Sequence, residues 1–264
     1  MLRLSNIEKR FYVGTPHENQ LYQDLNMHIQ DGEFITVIGS NGSGKSTFFN
    51  IIAGTLQPDQ GSITFKGVDI AHLPEHQRSR HIARVYQDPL KGTAPSLTIL
   101  ENLSMAYNKG KKFNLSRGVD HSLLEHFKHE LMRLNLGLED KLCNRVGTLS
   151  GGQRQALSLL MATLVQPELL LLDEHTAALD PKTSELIIQL TERLVREKEI
   201  TTVMVTHNLK QALEVGDRLI MFHKGQIVLD IRGEDKRKLS VMDLIAKFNE
   251  LNLMHELNDS LILG

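Results

Sequence analysis

The chain has 264 residues, enough for one large domain or a body carrying a substantial insertion, and its 41% hydrophobic and 23% charged content excludes a disordered or fibrous chain. Thirty lysines and arginines against 32 aspartates and glutamates leave a formal charge of −2 without a long basic block, which excludes the phosphate-neutralising footprint of a nucleic-acid binder. The longest uncharged apolar run, Ala156 to Val165, spans 10 residues, well short of the roughly 20 that a spanning helix needs.

Two runs of alternating apolar and polar residues, Leu2 to Ile7 and Leu21 to Ile29, predict half-buried antiparallel strands. Glu8 stands where a secretory leader would carry its apolar stretch, so the reading is a chain that stays in the cytosol. After the Asp31-Gly32 turn, Phe34 to Ile38 is a β-rich run entering a glycine-rich loop, and Ser46 to Ala53 predicts a helix stopped by Gly54. Ser62 to Phe65 and His81 to Gln87 read as strands, separated by the polar segment Pro74 to Arg80. From Leu97 to Val165 the apolar spacing turns helical: Ile99, Leu103 and Tyr107, then Leu124, Phe127 and Leu131, then Leu157, Leu160 and Leu164. Cys143 in this stretch has no ligand cluster beside it and reads as a buried small hydrophobe. Strand and helix alternation resumes with Leu169 to Leu172, a helix from Pro181 to about Lys198, a strand Thr201 to Thr206 and a helix Leu209 to Val215. Arg218 to Phe222 and Gln226 to Ile231 form a hairpin across Lys224-Gly225, and Val241 to Leu251 is an amphipathic tail helix. Short apolar strands without alternation, separated by helices, imply a mostly parallel sheet covered on both faces.

Three stretches carry chemistry. Gly39-Ser40-Asn41-Gly42-Ser43-Gly44-Lys45-Ser46 fits a phosphate loop and lies between a strand and a helix, as that motif requires. Its glycines let successive N–H groups converge on a β-phosphate at the positive end of a helix. Lys45 would reach β- and γ-oxygens, and the Ser46 hydroxyl would ligate Mg2+. Leu169 to Leu172 delivers Asp173 and Glu174 to the end of a buried strand, a costly placement without a cation or hydrogen-bond donors. Asp173 is placed to hold Mg2+ directly or through water, and Glu174 to polarise an attacking water, with helix-terminus or ion-pair carboxylate as the plainer role for Glu174. Leu149-Ser150-Gly151-Gly152-Gln153 reads as a second anion site at a helix N-terminus, or as a helix cap on a glycine turn.

With these motifs in this order, the chain resembles the nucleotide-binding subunit of an ATP-binding cassette (ABC) transporter. The matching elements include Gln87 after a strand, Ala178-Leu179-Asp180, and His207 after Thr201 to Thr206. Separations from Lys45 are 42 residues to Gln87, 105 to Ser150, 128 to Asp173 and 162 to His207. The resemblance implies an α/β P-loop NTPase core with a mostly parallel sheet, an N-terminal antiparallel β subdomain and an inserted helical subdomain. Residues 1–88 and 167–235 would form the core, 89–166 the helical subdomain and 236–264 a helical tail.

The resemblance also implies ATP and Mg2+ as ligands, with Gly39 to Thr47 on the phosphates and Ser46, Gln87 and Asp173 around the metal. Glu174, His207 and Gln87 become the catalytic set. Phe11 would stack on adenine, with adjacent Tyr12 as its rival, and Asp180 would act across a subunit boundary while capping the helix that starts at Pro181. Two copies would close head to tail, so that Ser150 to Gln153 of one meets the γ-phosphate held by Lys45 of the other.

Membrane permease subunits, docking near the helical subdomain, and an extracytoplasmic solute-binding protein are the implied further partners, with no nucleic acid. The chain would sit on the cytoplasmic face of the cell membrane. With Ser96 to Leu103 opening the insertion the chain looks like a prokaryotic importer component, and Asp88 to Pro95 is similar to cassettes paired with amino-acid-type permeases, aromatic or branched-chain. The competing class is a cassette ATPase of translation or DNA maintenance, disfavoured by a single phosphate loop and no sustained heptads. Two residues depart from the family pattern: His175 replaces the usual proline, and Ala178 a common serine. His126 and His129, with Glu125 and Glu130, read as a solvated helix face rather than a metal site, and Lys109, Lys111, Lys112 and Arg117 as a solvated basic loop, with acidic lipid headgroups as the lesser alternative for its facing surface.

Overall fold

The computed structural model describes residues 1–111 and 118–250. They pack as two units, one of Met1–Ser79 with the chain from Thr201 onward, the other of Arg80–Ile200.

The first unit opens with β1 (Leu2–Phe11) and β2 (Asn19–Ile29), antiparallel, each longer than its alternation alone indicates. Leu2, Leu4 and Ile7 face Ile29, Met27 and Leu25 on the buried side. The register then slips at Asn6 and Asp24, both in the left-handed region, where Asn26 bonds both neighbours through its side chain. β3 (Phe34–Gly39) is buried at every position. α1 (Lys45–Ala53) follows, one residue longer than predicted at its start. β4 (Gln60–Phe65) and the two-residue β5 (Val68–Asp69) complete an antiparallel sheet in the order β2-β1-β4-β5. The polar segment Pro74 to Arg80 contains a helical turn, α2 (Glu75–Arg78), whose Arg78 is buried. Its guanidinium donates to the carbonyls of Ile51, Ile52, Ala71 and Leu73, closing the open end of α1.

In the second unit β6 (Ile82–Val85) runs parallel to β7 (Leu169–Asp173). Between them lie α3 (Ile99–Tyr107), α4 (Leu124–Met132) and α5 (Gly151–Thr163), and α6 (Pro181–Glu197) follows β7. α3 starts at a reciprocal cap between Thr98 and Glu101, and α6 at Asp180 with Pro181 in the first turn. Two expectations fail here. Cys143 is exposed, because it sits in an irregular turn whose buried anchors are Leu142 and Val146. Glu130 is buried on α4, where Lys198 and Arg133 hold its carboxyl below the ordinary range against the opposing effect of burial. His126 packs edge-on against Tyr107 and at a tilt against Phe127, and no metal-holding cluster of His, Cys, Asp or Glu occurs among the described residues. In the basic loop Lys111 lies over the Tyr107 ring, while Lys112 and Arg117 fall outside the described residues.

The chain re-enters the first unit with β8 (Thr201–Val205), α7 (Leu209–Glu214), β9 (Arg218–His223) and β10 (Gln226–Arg232). β8 and β9 flank β3 in parallel, and β10 turns back antiparallel to β9. An unforeseen short helix, α8 (Gly233–Lys238), inserts Lys236, whose buried ammonium donates to the carbonyls of Val215 and Gly216. α9 (Val241–Glu250) lays Leu244 and Phe248 on a core of Ile38, Leu209, Ala212, Leu219 and Met221. Leu251, the predicted end of that helix, lies outside the described residues. No described helix is long and apolar enough to cross a membrane.

Candidate functional site

Four apolar residues of β3 carry the backbone into the phosphate loop, and Gly39 must be glycine there. A Cβ on it would lie 2.3 Å from the Phe222 carbonyl oxygen of neighbouring β9. The loop closes by a Ser43 N–H bond to the Ser40 carbonyl, and α1 begins at Lys45 with its first N–H groups directed at the loop. The Lys45 side chain is buried and folds back, its ammonium donating to the carbonyls of Gly39 at 2.6 Å and Ser40 at 2.9 Å. Ser43 Oγ is buried without a hydrogen-bond partner among the described residues, an orphaned donor inside the loop. Ser46 is exposed at the second helical position, Thr47 is half-buried, and Asn41 and Gly42 form the exposed tip. Glycine-rich turn, helix N-terminus, lysine and orphaned hydroxyl together make a cradle for an anion.

Elsewhere in this unit, His207 is half-buried just past β8, in a turn where Thr206 Oγ1 accepts the Asn208 N–H and Asn208 caps α7. Phe11 is half-buried at the end of β1 with the Lys9 ammonium 5.7 Å from its ring centroid. Tyr12 is 71% exposed and has φ +56°.

In the second unit Leu169 to Leu172 are fully buried and deliver Asp173 at the end of β7. Its Oδ2 accepts from Arg84 Nη2 at 2.5 Å, and the Arg84 guanidinium lies over the Tyr86 ring. Arg84 was not among the predicted site residues. Its signal was a lone charge inside the apolar run Ile82 to Val85, which must find a counter-charge when the strand is buried. Glu174 follows in the left-handed region at φ +48°, a sharp exit that turns the chain away from the strand. His175 is buried, and burial alone lowers its pKa to about 4, so the ring is neutral near pH 7. The Thr191 hydroxyl donates its proton to the Ile187 carbonyl, so it accepts from His175 Nε2, 3.0 Å away.

Ser150 caps α5 in a reciprocal box with Gln153, each side chain accepting the other's backbone N–H. Capping is therefore one of its functions. The same stretch packs on the turn before α6: a Cβ on Gly151 would meet Leu179 at 3.6 Å, and one on Gly152 would meet the Thr183 methyl at 2.4 Å. Asp180 accepts the Thr183 N–H, and the hydrogen bonds from Thr183 hold its carboxyl below the usual range. Gln87 is exposed two residues beyond β6. The structure thus joins Gly39, Ser40, Ser43 and Lys45 in one loop, and Ser150 to Gln153 with Leu179 and Asp180 in one surface.

The family of ABC transporters matches residues 22–177. A tyrosine transport ATP-binding protein of Clostridioides difficile is 50% identical over 248 residues, covering 94% of this chain and 98% of that protein. A spermidine/putrescine import ATP-binding protein of Pasteurella multocida is 32% identical over 250 residues, covering 93% of this chain and 64% of the longer relative. Among solved structures, a dimeric ATP-binding cassette in a post-hydrolysis state with ADP and Pi is 29% identical at a TM-score of 0.74, covering 88% of this chain and 98% of that one. An ATP-binding cassette of an ABC transporter in its ADP conformation is 26% identical at a TM-score of 0.78, covering 96% and 98%.

Proposed function

Since the chain belongs to the ABC transporter family as an ATP-binding subunit and is an ATPase, we propose that it drives solute import through separate membrane permeases, with an aromatic amino acid as cargo. The phosphate loop carries this reading: a lysine folded over a glycine turn, an orphaned buried hydroxyl and a helix N-terminus are built to receive a triphosphate. The amino-acid cargo is supported by the tyrosine-transport relative at 50% identity, and import by the relatives named for it.

In this reading Gly39 to Thr47 hold the phosphates and Phe11 stacks on adenine. Ser46, Gln87 and Asp173 offer the hard oxygen ligands that suit Mg2+. When bound, the metal neutralises β- and γ-oxygen charge. Glu174 accepts a proton from the attacking water, and His207 donates a hydrogen bond to the γ-phosphate. Two copies bind head to tail, Ser150 to Gln153 of one completing the γ-phosphate site of the other, with Asp180 beside that boundary. Closure is selected by ATP because the γ-phosphate makes contacts in the closed pair that ADP cannot. Residues 89–166 act as the helical subdomain on which permeases dock, and an extracytoplasmic binding protein supplies solute from the far side. The subunit works at the cytoplasmic membrane face.

Glu174→Gln tests the core of the reading. The purified variant is expected to bind ATP with parental affinity, to lose phosphate release by at least about a hundredfold, and to run as a dimer with ATP on size exclusion. Parental hydrolysis rates would remove Glu174 from the chemistry.

A further inference from the structure

Two groups outside the phosphate-loop motif grip its backbone. The Tyr22 hydroxyl on β2, fully buried, donates to the Gly44 carbonyl at 2.6 Å. Gly225, in the turn between β9 and β10, donates its N–H to the Ser43 carbonyl at 2.9 Å. Both fits are close. A Cβ on Gly44, at φ +111°, would sit 2.9 Å from the Tyr22 oxygen, and a Cβ on Gly225 1.6 Å from the Leu21 carbonyl oxygen. Burial pushes the Tyr22 hydroxyl far above its usual pKa, so it remains a donor.

In a trans peptide the C=O and N–H of one plane point in opposite directions. Holding the Ser43 carbonyl fixes the direction of the Gly44 N–H, and holding the Gly44 carbonyl fixes that of the Lys45 N–H. The two carbonyls are drawn toward β2 and the β9–β10 turn, so both N–H groups face the other way. We propose that Tyr22 is a positioning residue for nucleotide phosphate, orienting the Lys45 N–H through the Gly44 carbonyl while Gly225 orients the preceding plane. This rests on the reading that Gly39 to Thr47 hold the phosphates. The Gly44 carbonyl also accepts the Phe48 N–H at 2.8 Å, the first bond of α1, so loss of the tyrosine hydroxyl leaves it bonded and the helix intact while freeing the plane to rock.

Tyr22→Phe in the full chain, confirmed as folded by circular dichroism and thermal unfolding, is the test. One hydrogen bond contributes about 0.5–1.5 kcal/mol net, so ADP and a nonhydrolysable ATP analogue are expected to bind about two- to twelvefold more weakly by calorimetry. The contact is the same in ground and transition states, so KM for ATP rises by that factor while kcat holds. A purely structural role would instead lower the active fraction, reducing apparent kcat at unchanged KM. Tyr22→Leu also lacks the hydroxyl and must show the same KM rise if Tyr22→Phe fails to fold. Parental affinity and KM in a folded variant overturn the proposal. Lys45→Ala, run in parallel, separates the two levels: if it fails to weaken nucleotide binding, the phosphate-loop reading itself falls.

Discussion

Among single side chains, two buried arginines show how this chain places charge, by different routes. Arg78 gives its N–H groups to four backbone carbonyls, two of them in the last turn of α1. Arg218, 3% exposed, instead clamps Asp230 through two bonds of 2.6 Å and lies 3.4 Å from Glu33. The Arg218 hydrogen bonds hold the Asp230 carboxyl below its ordinary value despite the opposing effect of burial. A carboxyl depressed in the folded state stabilises above its unfolded pKa, near 3.9, and that contribution disappears as pH falls through the lower folded value. Asp230→Asn should therefore cost about 1 kcal/mol at pH 7, since the partly exposed carboxylate is screened by water. The variant should also lose less stability than the parent between pH 5 and 2. Urea unfolding of both chains across that range checks the sign, and parallel curves would mean that the pair does not titrate with folding.

At the scale of elements, α5 and α6 meet through glycine, and opposing effects can be weighed there. Alanine at Gly152 gains about 1 kcal/mol of helix propensity, yet its Cβ would fall 2.4 Å from the Thr183 methyl. Thr183 is β-branched and its backbone N–H is held by Asp180, so relief by rotation is limited. Overpacking of about 1–3 kcal/mol should prevail and leave Gly152→Ala destabilised. In a Thr183→Ser background, where that methyl is gone, the same substitution should become neutral or stabilising. A thermal double-mutant cycle measures this, and additive effects would show that the two helices do not press on each other here. Ser150→Ala separates capping from nucleotide chemistry at the same helix end. Loss of the reciprocal box should cost about 1 kcal/mol in unfolding. An ATPase loss far beyond what that instability explains would belong to the partner's γ-phosphate.

For the whole molecule, legibility in the sequence followed how local the cause was. The phosphate loop, Asp173 and Glu174 after four leucines, and the Ser150 box announce themselves within a few residues, and the strand and helix order follows from apolar period. The pairings of Arg84 with Asp173, Tyr22 with Gly44, and Lys198 with Glu130 join residues 22 to 89 apart, and no local pattern names the partner. Cargo is more remote still, because in the proposed reading the solute is met by permease and binding-protein subunits rather than by this chain. The energy of ATP can reach that solute only through differential contacts between open and closed states. If cargo is an aromatic amino acid, co-expression with its permease and binding protein in vesicles should give an ATPase that tyrosine, delivered from the binding-protein side, accelerates severalfold. In that reading the chain alone should show no response to tyrosine. Equal rates with and without tyrosine in the assembled complex, alongside stimulation by a polyamine or oxyanion, would move the cargo to another class while leaving the ATPase cycle in place.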